Sequence, residues 1–310
     1  MAYVDPDVQR LLDGVDPAAR DFGSLTPQQL RANAELTVAD MRPAVALHET
    51  RDLAVPTRAG GSVGARLYRP TDEAGLPLLV FFHGGGWELG SLELPDRMLR
   101  RLALDAGVCI LSIDYRLTPE HPFPAGLHDC YDATVWAQDN ATQLGATSDW
   151  LGVSGDSAGA NLAAAVAQLA RDADGPRIAH QLLIYPVVSR DFTSASYTAF
   201  SAGYFLTRAA MEHYWSIYTE GRPRYADLMV DADLAGLPAA TVLTCALDPL
   251  ASEGEAYAKA LDAAGVPTTL LQFGGLIHGI WYRDGVSIAA YRFGVAIGDE
   301  LRRVIGRSDH

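Results

Sequence analysis

Between residues 78 and 273 the chain repeats one pattern, a short apolar run followed by a longer stretch with helical spacing. The runs are 78–82, 108–114, 150–154, 181–185, 241–246 and 269–273, and residues 92–106, 127–140, 158–170 and 253–264 read as helices between them. A strand with one face in water alternates polar and apolar residues. These runs do not alternate, so both of their faces should be buried, as in a parallel sheet with helical crossovers on both sides. The expected fold class is α/β, and 310 residues suffice for a single domain spanning 1–310. Residues 45–56 and 62–70 flank the Gly60-Gly61 turn and predict a hairpin before the repeat begins. Residues 1–45 read as amphipathic helix, with Pro27 at a helix start after Thr26. The stretch from 189 to about 236 is rich in aromatics and too long for a simple connection. It should carry its own helices and reads as part of a cap or lid.

Composition removes several function classes. With 24 basic against 38 acidic residues, the net charge is −14 and the sequence pI about 4.9. Neither nucleic acid nor an anionic membrane surface is an expected partner. Lys259 is the only lysine, and Ala258 precedes it, so no P-loop is present and no other lysine could form a Schiff base. The cysteines, Cys109, Cys130 and Cys245, are odd in number and widely spaced, which predicts buried free thiols. Neither Cys-x-x-Cys nor His-Glu-x-x-His occurs, so a zinc site has no support. The N-terminus lacks a basic and apolar leader, and no apolar run reaches the roughly 20 residues of a membrane span. A cytoplasmic protein without stable membrane insertion is the expectation.

Two glycine patterns carry chemistry. Gly155-Asp156-Ser157-Ala158-Gly159 lies between an apolar strand and an Ala-rich helix. A nucleophile elbow needs that context, because small residues two positions either side let the backbone turn sharply and expose the serine. The competing reading is a helix N-cap serine in a tight turn. His83-Gly84-Gly85-Gly86-Trp87 directly follows the strand 78–82. Consecutive glycines leave their amides unshielded and free to face an anion, as in the oxyanion loops of lipases and esterases, where the amide after the nucleophile, here that of Ala158, is a further donor. A dinucleotide fingerprint would need glycine where Leu89 stands. His83 itself reads as structural.

The chain order for such an architecture is Ser, then Asp or Glu, then His. Of the histidines after Ser157, His180 precedes a strand, His213 lies in the aromatic stretch and His310 ends the chain. His278, in Gly274-Gly275-Leu276-Ile277-His278-Gly279, follows the run 269–273, where a catalytic histidine belongs. Asp248 stands just after the run 241–246, at a strand end. Its rivals Asp231 and Asp233 precede that strand, and Glu253 and Asp262 fall in the helix after it. Glu253 and Asp156 read equally well as supports of the site or as ordinary acidic residues near helix starts.

Taken in order, these pieces resemble the hormone-sensitive-lipase-like serine esterases, the bacterial family IV carboxylesterases of the α/β-hydrolase superfamily. The resemblance includes His83 to Trp87, the stretch Asp114-Tyr115-Arg116-Leu117-Thr118-Pro119-Glu120-His121-Pro122-Phe123-Pro124-Ala125, the Gly155 to Asn161 elbow, Asp248-Pro249-Leu250 followed by Glu253 to Ala258, and His278-Gly279. It implies an α/β-hydrolase fold with a mostly parallel eight-stranded sheet and a helical cap from about 1–45 and 189–236. It also implies catalytic Ser157, Asp248 and His278, oxyanion donors Gly85, Gly86 and Ala158, and no metal or organic cofactor. The implied partner is a small-molecule ester with a short to medium acyl chain, and homodimers are common in the family. An amidase or arylformamidase-like hydrolase uses the same residues and is the alternative. The chain departs from the pattern at Ala251-Ser252, where Arg-Asp is usual, at Ile280 in place of Phe, at Ala160 in place of Gly, and around Leu228-Met229, where a Ser-Pro pair is usual.

Overall fold

The computed structural model describes residues 3–14 and 25–306. Among these, eight strands form one sheet: β1 (Glu49–Pro56), β2 (Ser62–Arg69), β3 (Leu76–Phe82), β4 (Cys109–Asp114), β5 (Ala146–Asp156), β6 (His180–Ile184), β7 (Ala239–Leu247) and β8 (Thr268–Ile277). Their spatial order is β1-β2-β4-β3-β5-β6-β7-β8. β1 and β2 form the expected hairpin, with Pro56 opposite Ser62. β2 runs antiparallel to β1 and β4, and all later pairs are parallel.

The period of two along β3 divides the interior. Leu78, Val80 and Phe82 join one apolar cluster, and Leu79 and Phe81 join another on the opposite face. Helices α4 (Ala125–Asp139), α5 (Ala158–Asp172) and α8 (Ala251–Ala263) cover the first face, contributing Leu127, Leu162 and Leu261. Helices α3 (Asp96–Ala106) and α9 (Ile288–Val304) cover the second with Leu99, Leu102, Phe293 and Ile297. Each fully buried side chain of this size contributes about 1.5–3 kcal/mol. Both faces of the inner strands are covered, which is why β3, β4 and β6 carry no polar alternation, whereas β8, at the sheet edge, is at most part-buried over 268–273.

Several element boundaries differ from the sequence expectation. β8 continues through Gly274 and Gly275 to Ile277, so His278 directly follows it. Gly275 has φ +73°, and the Tyr3 ring occupies the space a Cβ would need. The amide of Asp5 donates to the Gly275 carbonyl at 3.1 Å. The two glycines thus pass the strand beneath the N-terminal segment, with no break in it. β5 begins at Ala146, before the apolar run, and α3 begins only at Asp96, after Pro95. Helix α9 is additional; its Ser287 cap accepts from the Ala290 amide.

The N-terminal region contains α1 (Pro6–Asp13) and α2 (Pro27–Glu35), the latter started by Pro27 and a capping box between Thr26 and Gln29. The expected cap segment 1–45 falls partly outside the described residues, at 1–2 and 15–24. The aromatic stretch does carry helices, α6 (Ala195–Ala199) and α7 (Arg208–Tyr218). The fully buried Asp227 ties its two ends together, accepting from the Ser189 hydroxyl at 3.0 Å, the Arg190 amide at 2.9 Å and Arg222 at 2.6 Å. Where Arg-Asp is usual, Ser252 and Ser196 join α8 to α6. The Ser196 amide donates to the Ser252 hydroxyl at 3.2 Å, and the Ser252 amide to the Ser196 hydroxyl at 3.1 Å. Cys109, Cys130 and Cys245 are buried. No described helix is long and apolar enough to cross a membrane.

Candidate active site

Ser157 sits at the turn from β5 into α5 with φ 56° and ψ −119°, a sparsely populated conformation for a residue with a Cβ. The flanking glycines are what permit this. A Cβ on Gly155 would overlap the Gly159 backbone, and one on Gly159 would overlap the Phe82 carbonyl. The turn is held by its amide, which donates to Ile184 at 2.9 Å, and by its carbonyl, which accepts from Val187 at 3.2 Å.

Three side chains from three strand ends meet here. His278 Nε2 lies 2.9 Å from Ser157 Oγ, and His278 Nδ1 lies 2.7 Å from Asp248 Oδ2. Asp248 is fully buried, and its Oδ1 accepts from the Leu250 amide at 2.8 Å, so both oxygens are engaged. The Tyr185 ring packs on the imidazole, with centroids 4.7 Å apart. The other candidates lie elsewhere. His213 pairs with Glu88 at 2.9 Å, and His180 is buried at the start of β6 beside Thr241. His310 lies outside the described residues. Glu253 is buried without touching His278; it accepts from the Val188 amide at 2.8 Å, and burial pushes its carboxyl well above the usual range.

The glycine loop after β3 faces the same point. Gly84 donates its amide to Asp156 Oδ1 at 2.8 Å, whereas the amides of Gly85 and Gly86 have no acceptor among the described residues. Gly85 and Gly86 have φ of 122° and 64°. Substituents there would overlap the Leu89 carbonyl and the Tyr214 ring respectively. His83 lies beneath the loop, stacked on Tyr115 at 4.5 Å, and burial lowers its pKa. Its carbonyl accepts from the Tyr115 hydroxyl at 2.7 Å.

Ser157, His278, Asp156 and the three glycines line a cleft. Its other walls are mostly apolar: Leu89, Leu94, Leu206 and Met211, with Phe205 and Tyr214 as aromatic sides. The aromatics Trp87 and Tyr185 are not part of this lining. Trp87 stacks on Tyr218 with centroids 4.0 Å apart, and Tyr185 supports His278. No group of three or more metal-ligating side chains occurs among the described residues.

A family profile described as the alpha/beta hydrolase fold matches residues 79–282. The carboxylic ester hydrolase LipN of Mycobacterium tuberculosis is 39% identical over 294 residues, covering 89% of this chain and 76% of its own. The chain belongs to the hormone-sensitive-lipase-like α/β-hydrolase esterases. This esterase is also 35% identical to an arylesterase of Saccharolobus solfataricus, over 89% of this chain and 91% of that one. Among solved structures, a thermostable esterase from Pseudomonas putida ECU1011 superposes with TM-score 0.91 at 32% identity, covering 99% of both chains. The esterase is a carboxylic ester hydrolase, as the sequence resemblance implies.

One residue of the candidate site carries no mark in the sequence. The hydroxyl of Tyr282, four residues after His278, donates to Asp156 Oδ1 at 2.8 Å. Asp156 is buried, and its carboxyl is pushed up to about 6 by that burial, against the opposing donations from Tyr282 and Gly84 and the nearness of His278. A tyrosine after a histidine loop carries no motif, so no sequence signal could have marked it.

Proposed function

We propose that this esterase hydrolyses short- to medium-chain acyl esters through a covalent acyl-serine, with Ser157 as nucleophile, His278 as base and Asp248 as its orienting partner. The observation that carries this reading is the relay Ser157 Oγ, His278 Nε2, His278 Nδ1, Asp248 Oδ2, with links of 2.9 and 2.7 Å, opening on an apolar cleft. Asp248 keeps the proton on Nδ1, which leaves a lone pair on Nε2. Ser157 Oγ attacks the ester carbonyl carbon while His278 takes its proton. The oxyanion is received by the amides of Gly85, Gly86 and Ala158. The occupied amide of Gly84 supports the choice of the first two. The bond to the leaving alcohol breaks as His278 returns the proton to it. A water, deprotonated by His278, then cleaves the acyl-enzyme, and Ser157 regains its proton.

The described parts of residues 1–45, together with 189–236, form a cap over this single-domain scaffold. Ala34 and Thr37 from the first, and Phe205, Leu206, Met211 and Tyr214 from the second, line the cleft in support of that assignment. The names of the relatives favour esters over amides. The test is a series of p-nitrophenyl esters from acetate to laurate, with wild type and Ser157→Ala side by side and an isosteric anilide as the amide control. Turnover of the shorter esters, abolished in the variant, is expected. Wild-type inactivity on every ester, or an unimpaired Ser157→Ala variant, would overturn the reading.

A further inference from the structure

The loop that carries His278 and the loop that carries the glycine amides come from different strands and share one carboxylate. Asp156 Oδ1 accepts from the Gly84 amide and from the Tyr282 hydroxyl, each at 2.8 Å. Its other oxygen stands where a Cβ on Gly84 would have to go. All three groups are buried. The carboxylate therefore cannot rotate freely, because any turn that loses Tyr282 also misaligns Gly84. Tyr282 is itself held by the short helical turn Ile280–Arg283 that follows His278-Gly279.

We infer that Tyr282 is a positioning residue for the oxyanion loop: by fixing the Asp156 carboxylate, it sets where the adjoining amides of Gly85 and Gly86 stand relative to Ser157 and His278. The inference rests on the esterase reading above and deepens it. Donors aimed at a developing charge act on the transition state more than on bound substrate, so loss of Tyr282 should lower kcat and leave KM nearly unchanged. A second consequence separates positioning from packing. The groups facing Asp156 are Tyr282 and His278 from the loop after β8, the Gly84 amide, Tyr115 after β4 and Tyr185 after β6. Of these, Tyr282 and Gly84 donate hydrogen bonds that favour the ionised carboxylate. Removing the Tyr282 hydroxyl therefore makes Asp156 easier to protonate and moves the acid limb of kcat to higher pH.

The experiment compares wild type, Tyr282→Phe, Asp156→Asn and the double variant on p-nitrophenyl acetate from pH 5 to 9, with Tm recorded for each. The ring is kept in Tyr282→Phe, so its packing is unchanged. Loss of a buried hydrogen bond to a charged acceptor is expected to lower kcat by about tenfold, with KM within about twofold. The acid limb should move up in pH, and Tyr282→Phe should add little in the Asp156→Asn background. A Tyr282→Phe variant with the wild-type kcat and acid limb overturns the inference alone. So does an equal loss with and without the Asp156 carboxylate, or, if Tyr282→Phe does not fold, an Asp156→Asn enzyme with unaltered kcat. A wild type that is not labelled at Ser157 by an aryl phosphonate and hydrolyses no ester would instead remove the esterase reading and this inference with it.

Discussion

Replacing Asp248 by asparagine tests the relay with almost no change of shape. The Asp248 carboxylate has two fixed duties, accepting from the Leu250 amide through Oδ1 and facing His278 Nδ1 through Oδ2. An asparagine can keep its carbonyl toward Leu250 only by turning its NH2 toward Nδ1. The imidazole must then accept there and carry its proton on Nε2, pointing at Ser157, where it cannot act as a base. The flipped amide would set NH2 against the Leu250 N–H, leaving a buried donor unmatched at about 2 kcal/mol, so only about 3% of molecules would hold the productive tautomer. Even these lack the negative charge that stabilises the imidazolium. An additional loss of about 100-fold from that charge gives about 10³- to 10⁴-fold in kcat overall. The assay is steady-state hydrolysis of p-nitrophenyl butyrate, with Tm measured in parallel. A folded Asp248→Asn enzyme retaining a tenth or more of the wild-type kcat would refute the reasoning.

Gly159→Ala should be costly, because its Cβ would meet the Phe82 carbonyl, forcing α5 away from β3. A loss of about 2–4 kcal/mol in urea unfolding is expected, and unchanged stability would contradict the packing account. Glu253 is held neutral by burial to well above its unfolded range, so the native state binds a proton that the unfolded state has released. Stability should therefore fall as pH rises from about 4.5 toward the folded value. Glu253→Gln keeps the acceptor for the Val188 amide and removes that penalty. Its Tm should exceed wild type by about 2 °C or more at pH 8 and match it near pH 4; equal Tm at both would show that burial imposes no such cost.

The parts of this protein that depend on neighbours in the chain are legible without a structure. Runs without polar alternation mark the strands of a doubly covered sheet. The Gly60-Gly61 turn marks the hairpin, and glycines at 155 and 159 mark a turn that side chains would block, because each reflects a steric or burial requirement on a few consecutive residues. The motifs also single out Ser157, Asp248 and His278, which come within hydrogen-bond distance although they lie 121 and 30 residues apart in sequence. Strand ends are less legible. β8 runs on through Gly274 and Gly275, since a glycine signals a turn only until something packs against it, here Tyr3 and Asp5. Tertiary structure alone decided that β4 lies between β2 and β3, that Gly84 gives its amide to Asp156 and leaves Gly85 and Gly86 facing the cleft, and that Tyr282 completes the bond. Those choices depend on which segments approach across the sheet. A hydroxyl or an amide has the same local sequence whether its partner is water or a buried carboxylate, so only the assembled fold can assign it.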